Sequence, residues 1–311
     1  MFDAKTLAPL ETVQDYLRYA YSRFREADLF YGHGSDNAWD EAVHLVLGVL
    51  HLPWETDAAL LVGKLADFEK AKLAEALRLR VEERVPVAYI IGEAWFMGMP
   101  FNVTRDVLIP RSPLAELLEN DLQPWLEDLA PQRILDLCCG SGCIGIAAGM
   151  VFPEAEIIIS DISPEALTVA GTNIRRHRVE AQVRAVESDL FDNVKGTFDI
   201  ILTNPPYVDQ PDMDSLPPEF LHEPRLGLES GQDGLEATRQ ILARAGDFLN
   251  KGGFLVCEVG NSIEALFAQF PNVMFVCPEF EFGGHGVFVL SRDQLLEHQT
   301  EFKQAAGLTA L

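Results

Sequence analysis

Apolar residues at Val13, Leu17, Ala20 and Phe24 recur at three- and four-residue steps, the spacing of one helix face. A second such pattern carries Ala42, Val43, Leu45, Val46 and Val49, preceded by the good N-cap residues Ser35, Asp36 and Asn37. A third, rich in Ala, Leu, Lys and Glu, runs from Phe68 to about Arg84. No period-two alternation interrupts them, so residues 1–85 are expected to form a small helical bundle. The pattern changes at Pro86. Val87-Ala88-Tyr89-Ile90-Ile91 is a short β-prone run, and Met97-Gly98-Met99-Pro100 between Trp95-Phe96 and Phe101-Asn102-Val103 reads as a hairpin turn. Residues 86–115 are thus expected to hold a hairpin and linker, with a helix starting near Leu114.

From Arg133 onward, short apolar runs alternate with helical patterns. Strands are expected at 133–137, 156–160, 182–187, 198–203 and 253–259, and helices at 143–151, 164–177 and 234–249. Two further strands are expected in the tail, at 273–276 and 286–290. Continuous apolar strands alternating with helices imply a mainly parallel, doubly wound α/β sheet within 116–311. The polar stretch 208–233, rich in Pro and Asp, is a long loop of the kind that usually carries function.

Composition narrows the class. The 311 residues are 48% hydrophobic, enough for a sizeable core, and contain no apolar run of 18 residues. The start, Met1-Phe2-Asp3-Ala4-Lys5, lacks the basic-then-apolar pattern of a secretory signal. Five cysteines, three of them crowded at 138, 139 and 143, are not a disulfide framework and fit a reducing cytoplasm. The net charge of −24 opposes phosphate-tracking grooves, whose affinity comes from Lys and Arg. The one basic cluster, Arg175-Arg176-His177-Arg178, reads as a solvated helix end. An acidic surface suits a basic protein partner.

Candidate chemistry begins at Ile134-Leu135-Asp136-Leu137, a strand that runs into Cys138-Cys139-Gly140-Ser141-Gly142-Cys143-Ile144-Gly145. Glycines there let a ligand approach the backbone, and the helix that follows presents free N–H groups. On its own the loop is equally a tight turn, and Gly140, Gly142 and Gly145 also satisfy the dinucleotide pattern, with Asp161 as its ribose acid. Three positions favour S-adenosylmethionine over NAD. Asp136 suits a cationic amino group rather than a pyrophosphate, Asp161 can take both ribose hydroxyls, and Ser188-Asp189-Leu190-Phe191 can meet an adenine. Asp189 is equally read as a turn or cap residue. All lie at carboxyl ends of strands, where such sheets bind ligands. Gly140, Gly142 and Asn204 complete the expected cofactor contacts.

Asn204-Pro205-Pro206-Tyr207 follows the fourth strand. A planar amide or aromatic amino nitrogen is a poor nucleophile because its lone pair is delocalised. The Asn204 side-chain oxygen and the Pro205 carbonyl can accept its two hydrogens and favour a more pyramidal nitrogen. The prolines preorganise both acceptors, and Tyr207 can lie against the flat group. In isolation the same tetrapeptide reads as a Pro-Pro turn; after the fourth strand of a sheet whose first strand carries the glycine loop, it reads as a methyl-transfer site. Asn204, Pro205 and Tyr207 are therefore the expected catalytic residues, and these with Pro206 and Arg111 the expected substrate contacts.

The joint pattern resembles the HemK-like protein-(glutamine-N5) methyltransferases. The matching pieces are Gly92-Glu93-Ala94-Trp95-Phe96-Met97-Gly98, Val107-Leu108-Ile109-Pro110-Arg111, the glycine loop, Asp161-Ile162-Ser163-Pro164, Asn204-Pro205-Pro206-Tyr207, His222-Glu223-Pro224 and Gly231-Gln232-Asp233-Gly234-Leu235. Release-factor enzymes of this group usually continue the Pro-Arg element with Pro-x-Thr-Glu. Here it reads Ser112-Pro113-Leu114-Ala115-Glu116, which with 31–42 looks like the ribosomal-protein branch. The resemblance implies a class I methyltransferase domain with a Rossmann-like, seven-stranded sheet, a helical N-terminal substrate-recognition domain, and a glutamine of a basic large-subunit ribosomal protein as target. Glutamine in release factors and adenine in nucleic acid are the alternatives, and a non-catalytic or dinucleotide-binding protein is a third class. Arg111 contacts either substrate or a domain interface, and Glu223 either lines the site or caps its loop. No metal is expected: capping explains His33, Asp36, Asp40 and His44, and zinc on Cys138, Cys139 and Cys143 would block the loop.

Overall fold

The computed structural model describes residues 2, 4–126, 130–281 and 283–308. It divides into two compact units: Met1–Ala94 with Pro217–His222, and Trp95–Leu216 with Glu223–Leu311.

The first unit is helical. Its main helices are Val13–Glu26, Ala38–Val49 and Asp67–Glu82. Thr12 and Asp15 form a capping box at the first, and the Asn37 side chain caps the second through Trp39 and Asp40 N–H at 3.0 Å. Tyr16, Ala20, Phe24, Ala42, Leu45, Leu73 and Leu77 form its core. The run 87–91, expected as β-prone, is instead a short helix, Val87–Ile91. Pro86 enters it without needing an N–H, and Gly92 closes it at φ +74°. Val87 packs into the helical core, and that burial outweighs a strand preference worth about 1 kcal/mol.

The second unit holds the sheet. The ribbon of β1 (Glu93–Phe96) and β2 (Met99–Asn102) turns through Met97 and Gly98, both at positive φ, as hairpins require; the boundary between the units falls inside β1. The main sheet contains β3 (Arg133–Leu137), β4 (Glu156–Asp161), β5 (Val183–Glu187), β6 (Phe198–Thr203), β7 (Leu249–Glu258) and β8 (Val287–Ser291). Their order is β5-β4-β3-β6-β7-β8, parallel except for β8. The strand expected at 273–276 is reduced to one antiparallel bridge, Val276 to Val289, beyond β8. Helices Cys143–Val151, Pro164–His177 and Glu236–Phe248 join the strands, and separate apolar clusters form the two cores of the unit. Among the described residues no helix is long and apolar enough to cross a membrane.

Candidate active site

Parallel pairing sets the site. Leu137 lies opposite Ser160 on β4 and Thr203 on β6, and Thr203 lies opposite Cys257 on β7. The residues that follow these positions therefore leave the sheet along one edge. That register collects the glycine loop, Asp161, Asn204 and Glu258.

Asp136 sits one residue inside this edge and is fully buried. Its Oδ2 accepts the Gly145 N–H at 2.7 Å, while Oδ1 has no partner among the described residues. Burial pushes this carboxyl up to about 8; the Gly145 hydrogen bond opposes the shift and the Asp161 charge adds to it. A Cβ at 145 would stand 2.3 Å from Ile159 and 2.9 Å from the Asp136 carboxylate, so only glycine lets the helix approach this closely. Asp161 accepts Gly140 N–H at 2.8 Å on one oxygen and Ser163 N–H at 3.0 Å on the other. Each oxygen keeps acceptor capacity on the side away from those amides. Gly142 caps the helix that follows the loop. Asp189 is exposed, and among the described residues none donates a hydrogen bond to its side chain. Ser188 shapes the turn around it, donating to the Leu190 carbonyl at 2.7 Å and accepting from Asn193 N–H at 2.9 Å.

At the end of β6, Asn204 Oδ1 is buried and receives no hydrogen bond among the described residues. The Pro205 carbonyl receives none either among the described residues. A buried acceptor without a donor, such as Asn204 Oδ1, is costly unless a donor arrives. Tyr207 is held at three points. Its hydroxyl donates to Glu258 Oε1 at 2.9 Å, its carbonyl accepts from Ser262 Oγ at 2.8 Å, and its ring lies against Gly260, where a Cβ would come within 2.5 Å of it. Burial, reinforced by the Glu258 charge, pushes the Tyr207 phenol far above its ordinary value, so it stays protonated. Arg111 forms a bidentate pair with Glu223, at 2.6 and 2.8 Å, and Glu223 also accepts the Ile109 N–H at 3.1 Å.

The methyltransferase small domain family matches residues 115–232. The ribosomal protein uL3 glutamine methyltransferase of Francisella tularensis is 43% identical over 297 residues, 95% of each chain. That of Neisseria gonorrhoeae is 46% identical over 288 residues, 92% of this chain and 96% of the relative. The chain belongs to the uL3 glutamine methyltransferase family. Among solved structures, a methyltransferase from Pyrococcus furiosus gives a TM-score of 0.45 at 16% identity, covering 63% of this chain and 89% of that one.

Membership makes the chain a methyltransferase and accounts for the α/β class of its sheet. The donor set also fits S-adenosylmethionine. A buried carboxylate oxygen without a partner suits an ammonium group, and a strand-end carboxylate beside loop amides suits vicinal hydroxyls. Glu258, Ser112 and Ser262 were not singled out from the sequence. The available signal was Glu258 itself, an acid in the otherwise apolar run 254–259 at a strand's carboxyl end. Among the described residues no three His, Cys, Asp or Glu side chains form a metal-sized cluster. The five cysteines are free thiols.

Proposed function

We propose that this chain transfers a methyl group from S-adenosylmethionine to the side-chain amide nitrogen of one glutamine in ribosomal protein uL3, in the cytoplasm. The observation that carries the reading is the buried Asn204 Oδ1 without a donor, in a chain 43–46% identical to enzymes named for that reaction. When bound, S-adenosylmethionine supplies a methyl group on a sulfonium. Asp136 Oδ1 accepts from its ammonium group, Asp161 from its ribose hydroxyls, and Asp189 from its adenine amino group. Gly140 and Gly142 allow close backbone approach, and Asn204 is a further cofactor contact. Asn204 Oδ1 and the Pro205 carbonyl take the two hydrogens of the glutamine nitrogen, and Pro206 fixes the turn that aims them. The Tyr207 ring bounds the amide face. With its phenol held protonated, Tyr207 is a wall and not a base; the nitrogen becomes acidic as it gains the methyl, so no base has to act before the attack. Arg111, held by its pair with Glu223, is a further substrate contact. Residues 1–85 form the substrate-recognition region, residues 86–115 the connecting hairpin and linker, and residues 116–311 the methyltransferase domain. No nucleic-acid substrate is involved.

Incubation with methyl-labelled cofactor and purified uL3, or ribosomes from cells lacking the enzyme, tests this. One methylated glutamine in uL3 is expected by mass spectrometry. Asn204→Ala should abolish most of that labelling, on the order of 100-fold in kcat, and weaken cofactor affinity by calorimetry far less. Unlabelled uL3 in both preparations would refute the reading. Labelled release factor, or label removed by nuclease, would redirect it to the two alternatives.

A further inference from the structure

The Tyr207 hydroxyl is bound to a group that no cofactor or substrate role accounts for. Glu258, the last residue of β7, is 5% exposed and accepts two hydroxyl hydrogen bonds, one on each oxygen. Tyr207 donates to Oε1 at 2.9 Å and Ser112 donates to Oε2 at 2.6 Å. Ser112 is itself buried and also accepts the Leu114 N–H at 3.2 Å, so its hydroxyl is fixed at both ends. Burying a carboxylate is expensive. A tyrosine against apolar strand ends could have been held by packing alone, without that cost. The arrangement makes sense if the angle of the ring has to be set.

We propose that Glu258, clasped between the Tyr207 and Ser112 hydroxyls, is a positioning residue that fixes the Tyr207 ring and thereby the plane of the substrate amide. The proposal rests on the glutamine-methyltransferase reading of the same site. The two hydroxyl donors, one on each oxygen, oppose the burial that pushes the Glu258 carboxyl up, and a carboxyl held at both oxygens is what a rigid stop requires. The clasp joins three places far apart in sequence: Ser112 after the Pro-Arg element, Tyr207 after β6 and Glu258 at the end of β7. It also gives the Ile109-Pro110-Arg111-Ser112 segment a second attachment beside the Arg111–Glu223 pair. Neither Glu258 nor Ser112 is among the side chains assigned to the cofactor.

Glu258→Gln keeps the shape and replaces one acceptor oxygen with a donor. It should lower kcat on the order of 10- to 100-fold, because small misplacements near the reacting atoms are costly, while the cofactor Kd stays the same. Tyr207→Phe cuts the same link from the other end, so the double variant should be no slower than the slower single. A second readout needs no substrate. The chain has six tyrosines, so 3-fluorotyrosine labelling gives six fluorine resonances, and Tyr207→Phe identifies the one of interest. That line should shift or broaden in Glu258→Gln. Ser112→Ala should give the same signs at smaller size, and it stands in should Glu258→Gln not accumulate as folded protein. An unmoved Tyr207 line, or rate losses that multiply in the double variant, would overturn the clasp. Failure of the wild-type chain to methylate uL3 would instead overturn the substrate reading, and the fluorine result would still report on the clasp.

Discussion

A buried carboxyl with one bound oxygen and one bare oxygen is poised to change charge when a cation arrives, and Asp136 is such a group. Its ordinary value is 3.8, and burial raises it to about 8 in the folded chain. Between those values the folded chain holds a proton that the unfolded chain has lost. Asp136 therefore favours folding fully below about pH 4, and this contribution is lost as pH rises through about 8. An ammonium group beside Oδ1 favours the ionised form, so cofactor binding should expel that proton, and affinity should rise with pH toward 8. Titration calorimetry at pH 7 in buffers of different ionisation enthalpy counts the proton. The wild-type chain should release more than Asp136→Asn, and equal counts would remove Asp136 from the ammonium site. Asp136, Asp161 and Asn204 were legible from sequence because each is a polar residue at or near the end of an apolar strand. Glu258 has the same placement, but a single acid closing a strand also reads as an ordinary terminus. Only its two hydroxyl partners, 146 and 51 residues away, distinguish it.

At the scale of elements, period and caps carried most of the information. The strands at 133–137 and 198–203 and the helix at 164–177 have the bounds expected from the apolar patterns. Val87–Ile91 went the other way, because a five-residue apolar run has no period and its neighbours decide its form. The tail strand failed for a related reason: at the sheet's outer edge Val276 pairs through a single bridge. Gly145 shows how contacts overrule propensity. Inside a helix, Gly→Ala should stabilise by about 1 kcal/mol. At 145 the added Cβ would press into Ile159 and the Asp136 carboxylate, so the sign should reverse. Gly145→Ala should cost about 1–3 kcal/mol in chemical denaturation, and weaken cofactor binding by moving Asp136. A variant more stable than the wild-type chain would contradict that packing.

Across the whole molecule, chain order and spatial order part company. Pro217–His222 lies within the stretch read as one long loop, yet it belongs to the helical unit. Glu219 in that segment is buried against Arg80 at 3.1 Å and accepts the Phe30 N–H at 3.1 Å, while Arg80 also binds Glu41 at 3.0 Å. Neither period nor composition announces a partner 139 residues away, so this was illegible from the sequence. Net charge, by contrast, is fully legible and makes a prediction of its own. At −24 the enzyme attracts a basic protein and repels RNA. Complementary charge acts mainly on encounter, and its reach shrinks from about 30 Å at 0.01 M salt to about 10 Å at 0.1 M. Raising salt across that range should therefore lower kcat/KM for uL3 several-fold through KM, with kcat and cofactor Kd nearly constant. A nucleic-acid substrate approached by the same surface would meet a screened repulsion, and its kcat/KM would rise instead. The sign of the slope in steady-state assays at matched pH thus separates the two target classes, and a rise for uL3 would exclude electrostatic attraction as the basis of its recognition.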